Sequence, residues 1–121
     1  MMSGQKLAGR RVLVVEDDYV LAEYLAEVIG SAGAEVIGPV GSVRDALEAL
    51  AASPDVACLD VRLGDETSFP IADELARRGV PFLFATGSAK EIPVAHGERT
   101  VCLKPVGNVA LVQGLVKALS G

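Results

Sequence analysis

The stretch Pro54-Asp55-Val56-Ala57-Cys58-Leu59-Asp60-Val61 decides the fold of this 121-residue chain. Its central run, Val56 to Leu59, is continuously apolar, which is typical of a strand buried on both faces of a parallel sheet. Asp60 follows as a single carboxylate where that strand should emerge. Ligand chemistry in open α/β sheets gathers outside the carboxyl ends of the strands. Asp60 is therefore either a simple loop cap or the centre of a site.

Four further strands are predicted from short apolar runs at residues 11–15, 34–38, 80–85 and 100–103. Pro39 is expected to end the second of these strands. Apolar residues at helical spacing predict amphipathic helices after the first three strands and after the last. Residues 89–99 contain Pro93 and Gly97 and show no such stripe, so a short, broken helix is expected there.

Strands and helices alternate through the whole chain without a linker or repeat. This pattern predicts one α/β domain over residues 1–121, with its core from about residue 10 to residue 119. Right-handed crossovers place helices on both faces of a doubly wound, five-stranded parallel sheet. The flavodoxin-like strand order 2-1-3-4-5 is expected, with the fourth crossover helix short or irregular.

The composition narrows the function classes. Half of the residues are hydrophobic, yet no apolar run approaches the roughly 18 residues of a membrane span. The N-terminus lacks a secretory apolar region, which favours a cytoplasmic protein. The formal net charge of −5 argues against nucleic acid as the main partner. Cys58 and Cys102, without CxxC spacing, are expected to be buried thiols and not a disulfide or zinc site.

Polar residues stand at four predicted strand ends, and these residues are Glu16, Asp17, Asp60, Thr86 and Lys104. Taken singly, each has a simple explanation as a cap, a loop hydroxyl or a surface amine. Parallel strands bring all of these ends to one edge of the sheet, where the three carboxylates repel each other unless a cation joins them. Oxygen ligands of this kind suit Mg²⁺ and not Zn²⁺.

The remaining two side chains suit a phosphoryl group. Lys104 adds a positive charge opposite the metal, and Thr86 adds a hydroxyl donor. In such a site the carboxylate of Asp60 attacks phosphorus, while the cations neutralise the phosphoryl oxygens and Thr86 hydrogen-bonds one of them.

This ordered set resembles the signature of receiver domains of two-component response regulators. The resemblance covers about Arg10 to Leu119 and rests on Glu16-Asp17-Asp18, Asp60, Thr86 and Lys104-Pro105. It implies that Asp60 is the phosphoacceptor and that a histidine kinase or a histidine phosphotransfer protein is the donor.

The same resemblance implies roles for the other residues. The Mg²⁺ ligands are then Asp17, Asp60 and the backbone carbonyl of Arg62, with Glu16 acting through water. Thr86 and Lys104 contact the phosphoryl group, and the Lys104-Pro105 peptide is cis.

The chain departs from the family pattern at two places. Val101 stands where most receivers carry a Tyr or Phe that acts as a conformational switch. The segment between Thr86 and Lys104 is shorter than usual, which predicts a reduced output face. The run Phe84-Ala85-Thr86-Gly87 resembles a subgroup of mostly single-domain receivers with an F-A-T-G motif.

Two other functions of such a fold are disfavoured by the residues at the strand ends. A haloacid-dehalogenase-like phosphatase needs a second Asp where this chain has Arg62. A flavodoxin-like cofactor binder needs a phosphate-cradling loop where Glu16-Asp17-Asp18 would repel phosphate. The expected function is a phosphorylated receiver, not a conventional enzyme, that signals by protein–protein contact without touching nucleic acid or membrane. The alternatives left open are a phosphate sink and a receiver-like binding module.

The last predicted helix carries more apolar surface than one sheet contact needs. A partner or homodimer surface is one interpretation of this surplus, and its residues are Val109, Leu111, Val112 and Val116. Ordinary surface scatter is the other interpretation. His96, beside Gly97 in the irregular segment, is expected to face solvent.

Overall fold

The chain folds around a five-stranded, fully parallel sheet. This computed structural model describes residues 5–120, apart from the side chain of Ala89. The strands are β1 (Arg11–Val15), β2 (Glu35–Val40), β3 (Val56–Asp60), β4 (Phe82–Thr86) and β5 (Thr100–Leu103). Their spatial order is β2-β1-β3-β4-β5, which confirms the predicted doubly wound topology.

Four helices cover the sheet, two on each face. They are α1 (Tyr19–Ser31), α2 (Val43–Ala49), α3 (Phe69–Arg77) and α4 (Asn108–Ser120). Side chains alternate along β1, so that Val12 and Val14 pack with α1 and α4. Leu13 and Val15 face the opposite way and pack with α2 and α3. Among the described residues, no helix has the length and apolar composition to cross a bilayer.

Local capping sets where the first two helices begin. A side-chain oxygen of Asp18 accepts the N–H of Leu21 at 3.1 Å at the start of α1. Ser42 accepts the N–H of Asp45 at 3.1 Å at the start of α2. Since β1 ends at Val15 and Asp18 caps α1, only Glu16 and Asp17 lie between the two elements. They form a two-residue loop at the sheet edge.

The second strand differs from the prediction at its end. Pro39 does not stop β2, which continues to Val40. The pairing register with β1 shifts between Leu13 and Val15, beside Gly38 at φ 97°. A proline is tolerated here for two reasons: β2 is an edge strand, and the irregular pairing does not need an N–H donor at this position.

The segment between β4 and β5 is irregular, as predicted, and no α-helix forms in it. It forms two short 3₁₀ turns, Ala89–Glu91 and Val94–His96. The prediction of an exposed His96 is wrong, because this side chain is only 5% exposed. Its ring lies edge-on to Phe82 and Phe84, with centroids 5.5 and 6.1 Å away. The ring fills space beside these two phenylalanines in a crossover that lacks a full helix.

Candidate functional site

Three carboxylates meet at the carboxyl ends of the adjacent strands β1 and β3. One oxygen each from Glu16, Asp17 and Asp60 lies within 4.8 Å of the others, and we call these residues the acid cluster. Pairing of Val15 with Leu59 sets Glu16 and Asp60 side by side. Such a concentration of negative charge is unfavourable without a cation among the oxygens.

One cation is supplied by Lys104, which follows β5. Its Nζ lies 3.1 Å from Oδ1 of Asp60 and 3.3 Å from Oε1 of Glu16. The backbone N–H of Lys104 donates to the carbonyl of Thr86 at 2.8 Å, which extends the β4–β5 pairing to this residue. The peptide bond from Lys104 to Pro105 is cis.

The electrostatics of Lys104 favour the charged ammonium. Burial lowers the pKa of its ammonium. The hydrogen bond to Asp60, with the negative charges of Asp60 and Glu16, outweighs this effect and leaves the pKa of Lys104 raised. Lys104 is therefore a cation at neutral pH.

Glu16 is the most buried member of the acid cluster, at 3% exposure. Burial raises the pKa of Glu16 to about 7, against a lowering by its hydrogen bond from the N–H of Asp18. That N–H donates to Oε2 at 3.1 Å. The other oxygen, Oε1, forms no hydrogen bond of good geometry among residues 5–120, and its ion-pair contact is the Lys104 ammonium at 3.3 Å. A buried carboxylate oxygen with only this long contact keeps a lone pair for a ligand.

Asp17 is exposed, and its position is set by two neighbouring loops. Its Oδ2 accepts the N–H of Gly64 at 2.8 Å. Gly64 lies at φ 63° in the turn of a short antiparallel ribbon, formed by Arg62–Leu63 and Glu66–Thr67, directly after Asp60. On the other side, a Cβ at Gly41 would meet the Cα of Asp17 at 3.3 Å. The backbone of Asp17 is thus held closely between the ribbon and the loop after β2.

Thr86 ends β4, next to Asp60 on β3. The register pairs Asp60 with Ala85, which places Thr86 one residue further along. Its buried hydroxyl has only long contacts, donating to the Ser88 carbonyl at 3.4 Å and to Oε2 of Glu91 at 3.5 Å. It also accepts the N–H of Ser88 at 3.3 Å. This hydroxyl is therefore weakly held.

Glu91 is a residue of this region that the sequence did not single out. Its Oε1 lies 2.9 Å from Nε of Arg62, while its Oε2 faces Thr86. Arg62 follows Asp60 by two residues, so the first 3₁₀ turn is tied to the loop after β3. An acidic residue in an irregular segment carries no motif, and nothing in the sequence distinguishes it from Glu98.

The structure shows that only some of the residues predicted for a partner surface on the last helix are exposed. Leu111 is fully buried in the core, so its prediction as an interface residue is wrong. Val112 and Val116 are partly buried against the same core, and Val109 is exposed at 68%. A groove of about 560 Å³ between α1 and α4 includes Val109 and Val112, and no acid-cluster residue lines it.

Comparison with known proteins places the chain in a family. It is 38% identical over 113 residues to the sensory transduction protein LytT of Bacillus cereus, covering 88% of this chain and 46% of LytT. It is 33% identical to SdrG of Sphingomonas melonis Fr1, whose solution structure matches with a TM-score of 0.80, over 93% of this chain and 97% of that one.

A further match is a signal receiver domain of a modulated diguanylate cyclase from Desulfovibrio desulfuricans G20. The identity is 26%, the TM-score is 0.78, and 92% of this chain and 94% of that chain are covered. No family model matches the chain. The chain spans about half the length of the curated relatives it matches.

The chain belongs to the receiver domains of response regulators. The resemblance seen in the sequence is thereby confirmed. A receiver domain is a signalling domain.

Proposed function

We propose that this receiver accepts a phosphoryl group on Asp60 from a histidine kinase or a histidine phosphotransfer protein. The observation that carries the proposal is the position of Asp60 among the acid cluster, with the Lys104 ammonium 3.1 Å from Oδ1. A carboxylate beside a cation, with further cation ligands at hand, is equipped to attack a phosphoryl group.

The acid cluster fits a hard divalent cation. All its donors are carboxylate oxygens, and buried Oε1 of Glu16 has only the long contact of 3.3 Å with the Lys104 ammonium in the described chain. We assign Mg²⁺ to Asp17, Asp60 and the backbone carbonyl of Arg62, with Glu16 acting through water. Bound there, Mg²⁺ supplies positive charge that lowers the repulsion between the cluster and a phosphoryl group.

The transfer conserves atoms and charge. A carboxylate oxygen of Asp60 attacks the phosphorus of a phosphohistidine, and the new O–P bond forms as the P–N bond breaks. The bonding electrons leave with the imidazole nitrogen, which takes up a proton, and Asp60 becomes an acyl phosphate. In hydrolysis, water attacks phosphorus, the Asp60 carboxylate leaves with its electron pair, and inorganic phosphate is released.

Two side chains of the site act on the transferred group. Lys104 neutralises charge on the phosphoryl oxygens, since its ammonium already lies beside the attacking carboxylate of Asp60. The Thr86 hydroxyl donates a hydrogen bond to one phosphoryl oxygen, exchanging the long contacts of 3.4 and 3.5 Å for a charge-assisted bond.

The output is contact with a partner protein in the cytoplasm, and residues 1–121 act as one receiver domain in this proposal. A phosphate sink has the same site and differs in the lifetime of phospho-Asp60. A lifetime long compared with phosphotransfer supports signalling, whereas rapid loss supports a sink.

The test is incubation with acetyl phosphate and Mg²⁺, followed by intact mass measurement. Wild type should gain the mass of one phosphoryl group, and Asp60→Asn should gain none. Asp65→Asn is the matched control, because Asp65 is an exposed acid in the same loop and should be phosphorylated like wild type. Phosphorylation of Asp60→Asn to the wild-type extent would overturn the assignment.

A further inference from the structure

Glu91 joins two groups that flank the phosphoryl site. One carboxylate oxygen lies 2.9 Å from Nε of Arg62, and the other lies 3.5 Å from the hydroxyl of Thr86. We call these three residues the Glu91 bridge. The Glu91 side chain is 32% exposed and that of Arg62 is 68% exposed, so both can move without opening the core.

We infer that Glu91 is a positioning residue that holds the first 3₁₀ turn, Ala89–Glu91, against the site and is released when Asp60 is phosphorylated. This inference rests on the proposed function. Val101 stands where most receivers carry an aromatic switch residue. The Glu91 bridge takes the place of that residue in coupling the site to the surface.

The first step in the release of Glu91 depends on the Thr86 hydroxyl. A threonine hydroxyl has one proton to donate. If Thr86 donates it to a phosphoryl oxygen, Oε2 of Glu91 loses its donor and faces the hydroxyl lone pairs instead. The contact at 3.5 Å then becomes repulsive.

The second step depends on the negative charge that phosphorylation adds near the ion pair of Glu91 and Arg62. Phosphorylation adds negative charge beside Thr86, which repels the Glu91 carboxylate and attracts the Arg62 guanidinium. An ion pair this exposed is weak enough to be separated by such a change. The backbone of Glu91 then keeps the hydrogen bond of its N–H to the Ser88 carbonyl at 3.3 Å and the packing of its neighbour Ile92 against the core.

The second half of the segment is anchored independently. His96 is buried against Phe82 and Phe84, and its Nε2 lies 2.8 Å from Oδ1 of Asp73 on α3. The release therefore concerns residues 89–93, while the turn at Val94–His96 stays in place. This division gives the experiment an internal reference.

The experiment is hydrogen exchange of backbone amides in unphosphorylated and acetyl phosphate-treated protein, with the phosphorylated fraction measured by intact mass. In wild type, phosphorylation should speed exchange within residues 89–93 by about two- to fivefold, the scale set by an exposed ion pair. The amides of Gly97 and Arg99, which donate to the carbonyls of Val94 and His96, should not change.

Variants identify the Glu91 bridge as the cause. Unphosphorylated Glu91→Gln and Arg62→Gln should each already show the faster exchange, and the double variant should add nothing to either. Phosphorylation should produce no further change in Glu91→Gln. The control Glu98→Gln, an exposed acid in the same segment, should behave like wild type.

The outcomes separate the two proposals. If wild type gains no phosphoryl mass, the proposed function fails and this inference fails with it. If mass is gained but exchange in residues 89–93 is unchanged, or if Glu91→Gln still responds like wild type, the release of Glu91 is refuted while the phosphoacceptor role stands.

Discussion

The ammonium of Lys104 lies 3.1 Å from Oδ1 of Asp60, although 44 positions separate the two residues in the chain. The same ammonium lies 3.3 Å from Oε1 of Glu16. One cation is thus shared by carboxylates from two strands. This arrangement makes the stability of the domain sensitive to the charge balance at its site.

Replacing Lys104 with Gln should lower the free energy of unfolding by about 1–3 kcal/mol, because Glu16 and Asp60 lose their nearest positive charge. This range is below that of a fully buried pair, since the Lys104 side chain is 28% exposed. Urea unfolding in EDTA measures the change. Lys117→Gln, an exposed lysine in the last turn of α4, should change stability by less than about 0.5 kcal/mol. Equal losses in the two variants would contradict this view of the site.

Asp17→Asn should have the opposite effect. Removing one of three clustered negative charges should raise stability in EDTA by about 0.5–2 kcal/mol, while the amide oxygen still accepts the N–H of Gly64. Added Mg²⁺ should stabilise wild type more than the variant, because a metal ligand is gone. Unfolding curves with EDTA and with Mg²⁺ test both statements, and Asp65→Asn is the control. A stability gain unaffected by Mg²⁺ would argue against a metal at Asp17.

The contact between buried His96 and exposed Asp73 predicts a coupled stability effect. Nδ1 of His96 has no partner in the described chain, so Asp73→Ala leaves both ring nitrogens unpaired. The expected loss is about 0.5–1.5 kcal/mol, the contribution of one hydrogen bond, because Asp73 is 72% exposed and water can take its place. In a His96→Leu background the same Asp73 substitution should cost almost nothing. A double-mutant cycle by urea unfolding measures this coupling, and additive losses would show that the pair is not formed.

Gly114 allows α4 to approach the sheet closely. A Cβ there would lie 3.0 Å from Sγ of Cys102 and 3.1 Å from Cδ2 of Leu83. Gly114→Val should lower the free energy of unfolding by about 1–3 kcal/mol through overpacking. The loss should shrink in a Cys102→Ala background. Gly107→Ala is the control, since nothing lies within 4 Å of its Cβ position. Thermal or urea unfolding that shows no loss in Gly114→Val would contradict the close packing.

The two cysteines should react slowly with thiol reagents in the native protein. Burial raises the pKa of both Cys58 and Cys102, and the thiolate is the reactive form. Cys58 is fully buried and Cys102 is 8% exposed, so Cys102 should be labelled first. Labelling with a colourimetric disulfide reagent at mildly alkaline pH, with and without denaturant, measures this. Fast native labelling of Cys58 would show that β3 opens readily.

Much of the fold was predictable because its signals are local. Apolar runs predicted the five strands, and residues 89–99 lacked a helical stripe and formed only 3₁₀ turns. The errors arose where the environment comes from distant parts of the chain. Pro39 continues a strand because β2 lies at the sheet edge, and His96 is buried because Phe82 and Phe84 lie beside it. Leu111, predicted as surface, is a core residue of α4.

The sequence by itself determined which polar residues stand at the strand ends, and parallel topology then brings Glu16, Asp60 and Lys104 to one edge. Only the tertiary structure decided the contacts of Glu91, whose partners are Arg62 on one side and Thr86 on the other. The physical reason is that strand ends converge by backbone geometry, which short patterns encode. The position of a charge in an irregular segment instead depends on side chains that approach it from other parts of the fold.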